Sequence, residues 1–294
     1  MKRWLCAGWL VLLGVCVPAW AYDVTDDTGH TVQFDTPPLR IVSLLPSLTE
    51  SVCELGGCER LVGVDRYSNW PAPVKQLPQV GGGLDPNVEA VVALKPDLVL
   101  ASVSTRAADR LRSLGLRVLQ MEPRTGAQVR EVMQRLGTVL QLPHAERVLR
   151  DIDAGVEAAA LSVPPGLRGQ RVYFEASGGP HAAGPQSFIG EMLTRLGLDN
   201  IIGPELGPFP RINPELVVRA DPDLIMVGAR SVRELTGRPG WGQLRALRER
   251  RLCVFTPDEV DVLVRPGPRM AEAARLMARC AVQKGPRGQR EVAR

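Results

Sequence analysis

Apolar positions along the chain switch between two spacings. Short apolar runs at residues 40–45, 61–64, 98–101 and 116–120 read as buried strands. Between them lie segments with helical spacing. One starts after Pro46, with Ser47 as the expected N-cap and Glu50 completing a capping box, and it closes at Gly56-Gly57. Others start at Asn87, span about 106–114, and run over 126–140, where Val129, Val132, Met133, Leu136, Val139 and Leu140 form one stripe. Residues 144–162, bounded by Pro143 and Pro164, predict one amphipathic helix roughly 28 Å long. The alternation then resumes. Strands are predicted at 171–174, 224–226 and 251–255, and helices at 187–196, 213–220, 241–250 and 269–282, with 256–268 as a loop. Alternation on both sides of the long helix predicts an α/β fold of two Rossmann-like lobes with mostly parallel sheets, joined by one backbone helix.

The two halves share a motif. Asn87, Glu89, Val92, Pro96, Asp97 and Leu98 recur as Asn213, Glu215, Val218, Pro222, Asp223 and Leu224, all at one offset (213 − 87 = 126). Each copy reads as a short helix, a Pro-Asp turn and a strand. Upstream, Glu50 precedes Gly56 as Glu191 precedes Gly197, by six residues. Two copies at this period make two homologous lobes, not a solenoid. The expected layout is a leader over 1–21, a hairpin-like lead-in over 22–38 and an N-terminal lobe over 39–142. The linking helix (143–164), a C-terminal lobe (165–282) and a disordered basic tail (283–294) follow.

Composition narrows the function. Lys2 and Arg3 precede a mostly apolar run, and Ala19-Trp20-Ala21 is a small-x-small cleavage site, so the chain is expected to be secreted, with Tyr22 first in the mature form. Val15 before Cys16 argues against lipidation there. Net charge is +4, two of it from the leader, and no basic stripe with interleaved aromatics points to nucleic acid. Export permits disulfides. Cys53 with Cys58, and Cys253 with Cys280, could pair, or all four could be buried thiols. Three histidines, His30, His144 and His181, are too few and too dispersed for a zinc carrier. No nucleophile–base motif, phosphate loop or His-Glu-x-x-His is present, so no enzyme is expected.

In open α/β sheets, ligands sit beyond the carboxyl ends of the strands. The loops there are 45–47, 65–85, 177–186, 204–212 and 257–267, and they hold Tyr67, Trp70, His181, Phe209 and Arg265. Two lobes turned toward one cleft, with apolar walls and few polar anchors, suit a bulky flat ligand.

The stretches "RIVSLLPSLTE", "LVGVDRYSNWPAPVKQLPQVGG", "NVEAVVALKPDLVLA", "AAGPQSFIGEML" and "RPGPRM" resemble the class of periplasmic binding proteins whose lobes are joined by a single long helix. The resemblance covers about residues 39–282. This class serves ABC importers of corrinoids, haem and iron-siderophores, and the closest likeness is to its cobalamin-binding branch. The resemblance implies cobalamin or a related corrinoid as transported ligand, with no resident cofactor. It further implies a monomer that delivers its ligand to a permease dimer. Pro46, Tyr67, Gly82, Gly83, His181, Phe209, Asp258 or Asp261, and Arg265 match ligand-lining positions, and Trp70 shares the Tyr67 loop, where packing competes with ligand contact. Gly83 stands where the relative has Trp, His181 where it has Phe, and Phe209 replaces another Trp. An axial metal bond from His181 is a secondary reading beside a plain polar contact. Glu89 and Glu215 match the glutamates that dock such proteins on permease arginines. One acid could merely complement a helix dipole. A pair in register fits two equivalent basic pockets on a two-fold partner.

Overall fold

The computed structural model describes residues 21–235 and 237–286. The expected leader, except Ala21, and the tail beyond Pro286 lie outside those residues. Among the described residues, no helix is long and apolar enough to cross a membrane.

Strands β1 (Tyr22–Thr25) and β2 (Thr31–Phe34) pair antiparallel around the Asp27-Thr28-Gly29 turn. The first lobe follows in strict alternation: β3 (Ile41–Ser43), α1 (Pro46–Glu54), β4 (Leu61–Val64), α2 (Val88–Ala93), β5 (Leu98–Ala101), α3 (Ala108–Ser113), β6 (Val118–Gln120) and α4 (Gly126–Leu140). Helix α5 (Ala145–Leu161) then leads to the second lobe. This holds β7 (Arg171–Ser177), β8 (His181–Ala182), α6 (Phe188–Arg195), β9 (Asp199–Asn200), α7 (Pro214–Ala220), β10 (Leu224–Gly228) and α8 (Val232–Leu235). It ends with α9 (Arg245–Arg248), β11 (Leu252–Phe255), α10 (Pro257–Val264) and α11 (Met270–Lys284).

The duplication is topological as well as sequential. The first sheet runs β4-β3-β5-β6, all parallel. The second runs β9-β7-β10-β11, also parallel, with β8 antiparallel on the β9 side of β7. Counting parallel strands only, both sheets therefore place the first strand of the lobe between the second and third.

The repeated residues explain why the motif survives in register. Asn87 and Asn213 each cap a helix, their side chains accepting from Ala90 N at 2.8 Å and Glu215 N at 3.0 Å. Asp97 accepts from Leu39 N and Arg40 N, at 2.8 and 3.0 Å, at the entry to β3. Asp223 accepts from Arg171 N at 2.9 Å at the entry to β7. Each Asp thus ties the third strand of its lobe to the first. Lys95 and Asp221, also 126 apart, both take the left-handed conformation after their helices, with φ of 47° and 39°.

A single apolar cluster runs through both lobes, from Phe34, Leu48 and Leu136 through Val156 on α5 to Phe188, Leu263 and Met277. Helix α5 lies against α4, α6 and α11, so the linking helix is buried along its length on one side. Cys53 is bonded to Cys58 (Cα–Cα 4.0 Å) and Cys253 to Cys280 (5.9 Å).

Four local expectations are corrected. Helix α1 has Leu45, not Ser47, at its N-cap and no side-chain cap, and Glu50 turns away to another partner. Residues 257–264 are helical because Thr256 and Glu259 form the capping box, with bonds of 2.9 and 3.3 Å and Pro257 in the first turn. The helix predicted over 241–250 is a 3-10 turn, Trp241–Gln243, followed by the short α9. Gln283 and Lys284 belong to α11, not to the tail.

Two substitutions separate these local terms. Lys95→Gly removes the left-handed strain and should stabilise by about 0.5–1 kcal/mol. Asp97→Ala deletes two strand-entry bonds and should cost about 1–2 kcal/mol. Urea unfolding midpoints that move the same way for both variants would contradict this account.

Candidate functional site

In each sheet the first strand lies beside the third, and their outgoing connections leave in opposite directions. Such a switch point opens a crevice at the carboxyl ends. The two crevices contribute to one cleft of about 530 Å³, lined by Leu45, Ser47, Glu122, Pro123, Arg124, Phe188, Leu206, Pro208, Phe209, Val264 and Pro266. Every one of these residues lies on the carboxyl side of a strand of its lobe: after β3 and β6 in the first, and after β7, β9 and β11 in the second.

The aromatic wall belongs to the second lobe. Ala182 N donates to Pro210 O and Gly184 N to Pro208 O, at 2.9 and 2.8 Å, so the loop after β9 zips onto the loop after β8. A Cβ on Gly184 would sit 2.0 Å from Gly207 O. Only glycine permits that approach, and it is this approach that holds Phe209 out into the cleft. Phe209 remains about one-third exposed, and its ring centroid is 6.1 Å from that of Phe188. The opposing wall has no aromatic side chain.

Residues 65–85 form an ordered loop rather than an open insert. Asp65 is fully buried and accepts from Ser68 Oγ at 2.5 Å and Tyr67 N at 3.0 Å. Burial raises its carboxyl above the usual range, against the downward pull of those bonds and of Arg265. Ser68 continues through Thr49 to Ser43, each step 2.8 Å, which fastens the loop to the end of β3.

The lobes are clasped beside the cleft by a buried carboxylate. Glu50 on α1 is 1% exposed and receives Arg265 Nη1 at 2.8 Å and Arg269 Nε and Nη2 at 2.9 and 2.7 Å. Both arginines stand at the α10–α11 junction of the second lobe. Arg265 also donates to Asn69 Oδ1 (2.8 Å) and Tyr67 O (2.9 Å) and pairs with Asp261 at 2.8 Å. Asn69 Nδ2 donates to Asp261 at 2.7 Å, and Arg269 lies 4.9 Å over the Trp70 ring. The repeat partner of Glu50 acts in mirror fashion. Glu191 on α6 accepts from Gly126 N, at the first turn of α4 in the first lobe, at 2.6 Å. Phe188 N adds a 2.8 Å bond to Arg124 O.

This sorts the residues expected at the ligand. Phe209 lines the cleft, and Pro46 lies between the lining residues Leu45 and Ser47. Arg265, Asp261 and Trp70 sit in the clasp, with both terminal nitrogens of Arg265 engaged. Tyr67 is 61% exposed on the loop beside it. Gly82 packs against the Asp85 and Arg66 side chains, and Gly83 against backbone, with a Cβ on Gly83 falling 2.4 Å from Leu44 O. That contact leaves no room there for a larger side chain. His181 Nδ1 is 3.0 Å from Gly178 O, and among the described residues no group of His, Cys, Asp or Glu converges as a metal site. Asp258 lies in the exposed first turn of α10. Glu122, Arg124 and Phe188 line the cleft without having stood out in the sequence. The signal available was position alone, since Glu122 and Arg124 closely follow β6.

Glu89 and Glu215 are both exposed in the first turns of α2 and α7, and among the described residues neither has an ion pair. A helix that joins two parallel strands starts at their carboxyl side, so both acids stand on the side toward which the cleft opens.

Residues 41–259 match the family model described as periplasmic binding protein. A cobalamin-binding protein of Halobacterium salinarum is 33% identical over 223 residues, 71% of this chain and 60% of that one, so the match spans about 60% of that relative's length. A vitamin B12-binding protein of Pectobacterium carotovorum is 28% identical over 92% of each chain. A periplasmic heme-binding protein from Pseudomonas aeruginosa, of known structure, is 28% identical with a TM-score of 0.70, covering 85% of this chain and 94% of that one. The periplasmic vitamin B12 binding protein of Vibrio cholerae has a TM-score of 0.69 at 22% identity over 84% and 98% of the two chains, a likeness of fold.

The clasp generates an unequal pair of effects. Glu50→Ala strands two guanidinium groups in a buried seam and should cost about 3–5 kcal/mol in urea unfolding. Glu191→Ala frees one backbone N–H at a helix end and should cost about 1–2 kcal/mol. Equal losses would mean that Glu50 is not shielded from water.

Proposed function

Because the chain belongs to the periplasmic binding protein family, we propose that it captures cobalamin or a related corrinoid between its lobes and hands it to the permease of an ABC importer. The reading is supported above all by the cleft. Eight of its eleven lining residues are apolar or proline, with one aromatic pair, Phe188 and Phe209, on one side. Such a surface favours a large, flat, mostly neutral ligand held by apolar contact. The names borne by the curated relatives point the same way. Capture is non-covalent, and ATP hydrolysis on the partner drives release. Export through the leader over 1–21 places the protein in the periplasm.

Docking follows from the repeat. A two-fold permease offers two equal basic sockets, and this chain offers one exposed acid per lobe, Glu89 and Glu215, at equivalent turns of equivalent helices. Their exposure is costly to explain as packing, since among the described residues neither contributes an ion pair to its own lobe. The protein acts here as a monomer, presenting both acids from one chain.

Calorimetry with cyanocobalamin and cobinamide should give a Kd below about 1 μM, worth more than ~8 kcal/mol. Phe209→Ala should weaken it about 10-fold or more through lost aromatic contact. Silence with both corrinoids, together with a hemin Soret shift that His181→Ala abolishes, would replace this reading with haem capture. In transport assays, Glu89→Ala combined with Glu215→Ala should abolish uptake while calorimetric affinity stays within about 2-fold. Loss of affinity in that double variant would move the two acids from the docking face to the ligand.

A further inference from the structure

Glu122 and Arg124 are the charged residues lining the cleft, and their geometry is that of a reader rather than a closed ion pair. Glu122 lies two residues beyond β6. Its Oε2 accepts a short bond from Ser102 Oγ and a second at 3.3 Å from Ser104 Oγ. Ser102 is itself buried and fixed from behind, since Gln120 Nε2 donates to Ser102 O at 3.0 Å. The backbone N–H of Glu122 donates to Asp27 at 2.8 Å. The residue is therefore held at its backbone and at one carboxylate oxygen, Oε2. Its other oxygen, Oε1, stands 4.0 Å from Arg124 Nη2, with the two side chains 27% and 53% exposed. An acceptor with lone pairs to spare thus stands beside a guanidinium donor on the cleft wall.

Resting on the corrinoid reading above, we propose that this pair recognises a primary carboxamide on the edge of the ligand. A carboxamide presents a carbonyl oxygen and an NH2 group side by side. Arg124 donates to the first and Glu122 Oε1 accepts from the second. A carboxylate presents two acceptors. It satisfies Arg124, but it sets a like charge against Glu122 in a cleft partly shielded from water, which disfavours it. Glu122 is thus the element of rejection and Arg124 the element of general attraction, so the site selects a macrocycle with amidated side chains over one with free acids. The serines behind Glu122 fix the acceptor in advance, which reduces the ordering cost of binding.

The test uses one ring in two forms: dicyanocobinamide, whose edge groups are amides, and dicyanocobyrinic acid, whose edge groups are carboxylates. Calorimetry on the full-length mature protein should show the amide form binding at least 10-fold tighter. Glu122→Ala should narrow that ratio at least 5-fold, mainly through tighter binding of the acid form. Arg124→Ala should widen it, because repulsion by Glu122 is then unopposed. A role for Glu122 confined to stapling the loop after β5 would weaken both ligands alike and leave the ratio unchanged, which overturns the assignment. Equal wild-type affinities overturn it too. Where Glu122→Ala fails to fold, the widened ratio in Arg124→Ala, a substitution at a half-exposed side chain, decides the matter. Binding of neither ring removes the corrinoid reading itself, and this assignment with it.

Discussion

Glu50 is an acid taken out of water and held there by two arginines from the opposite lobe. Such a cluster is a poor source of net stability. The desolvation of three charged groups offsets most of what their attraction returns. Its value is geometric. Guanidinium and carboxylate meet well only in a narrow set of orientations, and here they meet across the seam between lobes. Arg265 extends the constraint to Tyr67 O and Asn69, so the long loop after β4 is registered against the second lobe by the same charge that registers the lobes against each other. The cleft lies beside that clasp, and its width is set there.

The duplication gives this clasp a counterpart. Glu50 and Glu191 hold equivalent places in the two lobes, and each reaches into the other lobe near the start of its last long helix. The partners differ: side-chain guanidinium groups in one case, a helix N-terminus in the other. An ancestral symmetric contact that kept its acid and changed its donor would leave this arrangement. The acid is likewise kept at Glu89 and Glu215, where among the described residues no ion pair forms on either side. One pair of equivalent carboxylates, Glu50 buried and Glu191 half-buried, thus works across the seam, while the other pair, Glu89 and Glu215, stands exposed in the first turns of α2 and α7.

The parts legible in the sequence are those written locally. Asn87 and Asn213 cap their helices, and the Pro-Asp turn ties strands through the backbone amides next to it, so the repeat announced both lobes, while the strand order within each sheet came only with the structure. Helix α10 was written just as locally, in Thr256-Pro257-Asp258-Glu259, and the loop expectation passed over it. Glu50 shows the opposite failure. Ser47 and Glu50 have capping-box spacing, yet the carboxylate finds arginines 215 and 219 residues away, and burial with a full charge outweighs a surface cap. Arg265 and Asp261 stood out by position, but their contacts with Glu50, Asn69 and Tyr67 did not, because spacing does not reveal what a loop residue meets across the seam. Glu122 had no motif at all, and only the convergence of β5 and β6 brings Ser102 and Ser104 behind it.

One apolar cluster passes through both lobes and along α5, and this limits how the cleft can work. Opening the lobes widely would expose that cluster and uncouple Glu50 from its arginines, at a cost of several kcal/mol. Capture of a ligand from solution, before any partner acts, has no separate source for such an expense. The motions left are small sliding adjustments of packed helices and rearrangement of the loops at the strand ends, with the cleft largely preformed. A preformed cleft recognises by complementarity already in place. That condition gives weight to rigidly backed groups such as the Phe209 ring on its glycine-bound loop and the Glu122 carboxylate on its serines, and withdraws it from side chains that would need to swing into position.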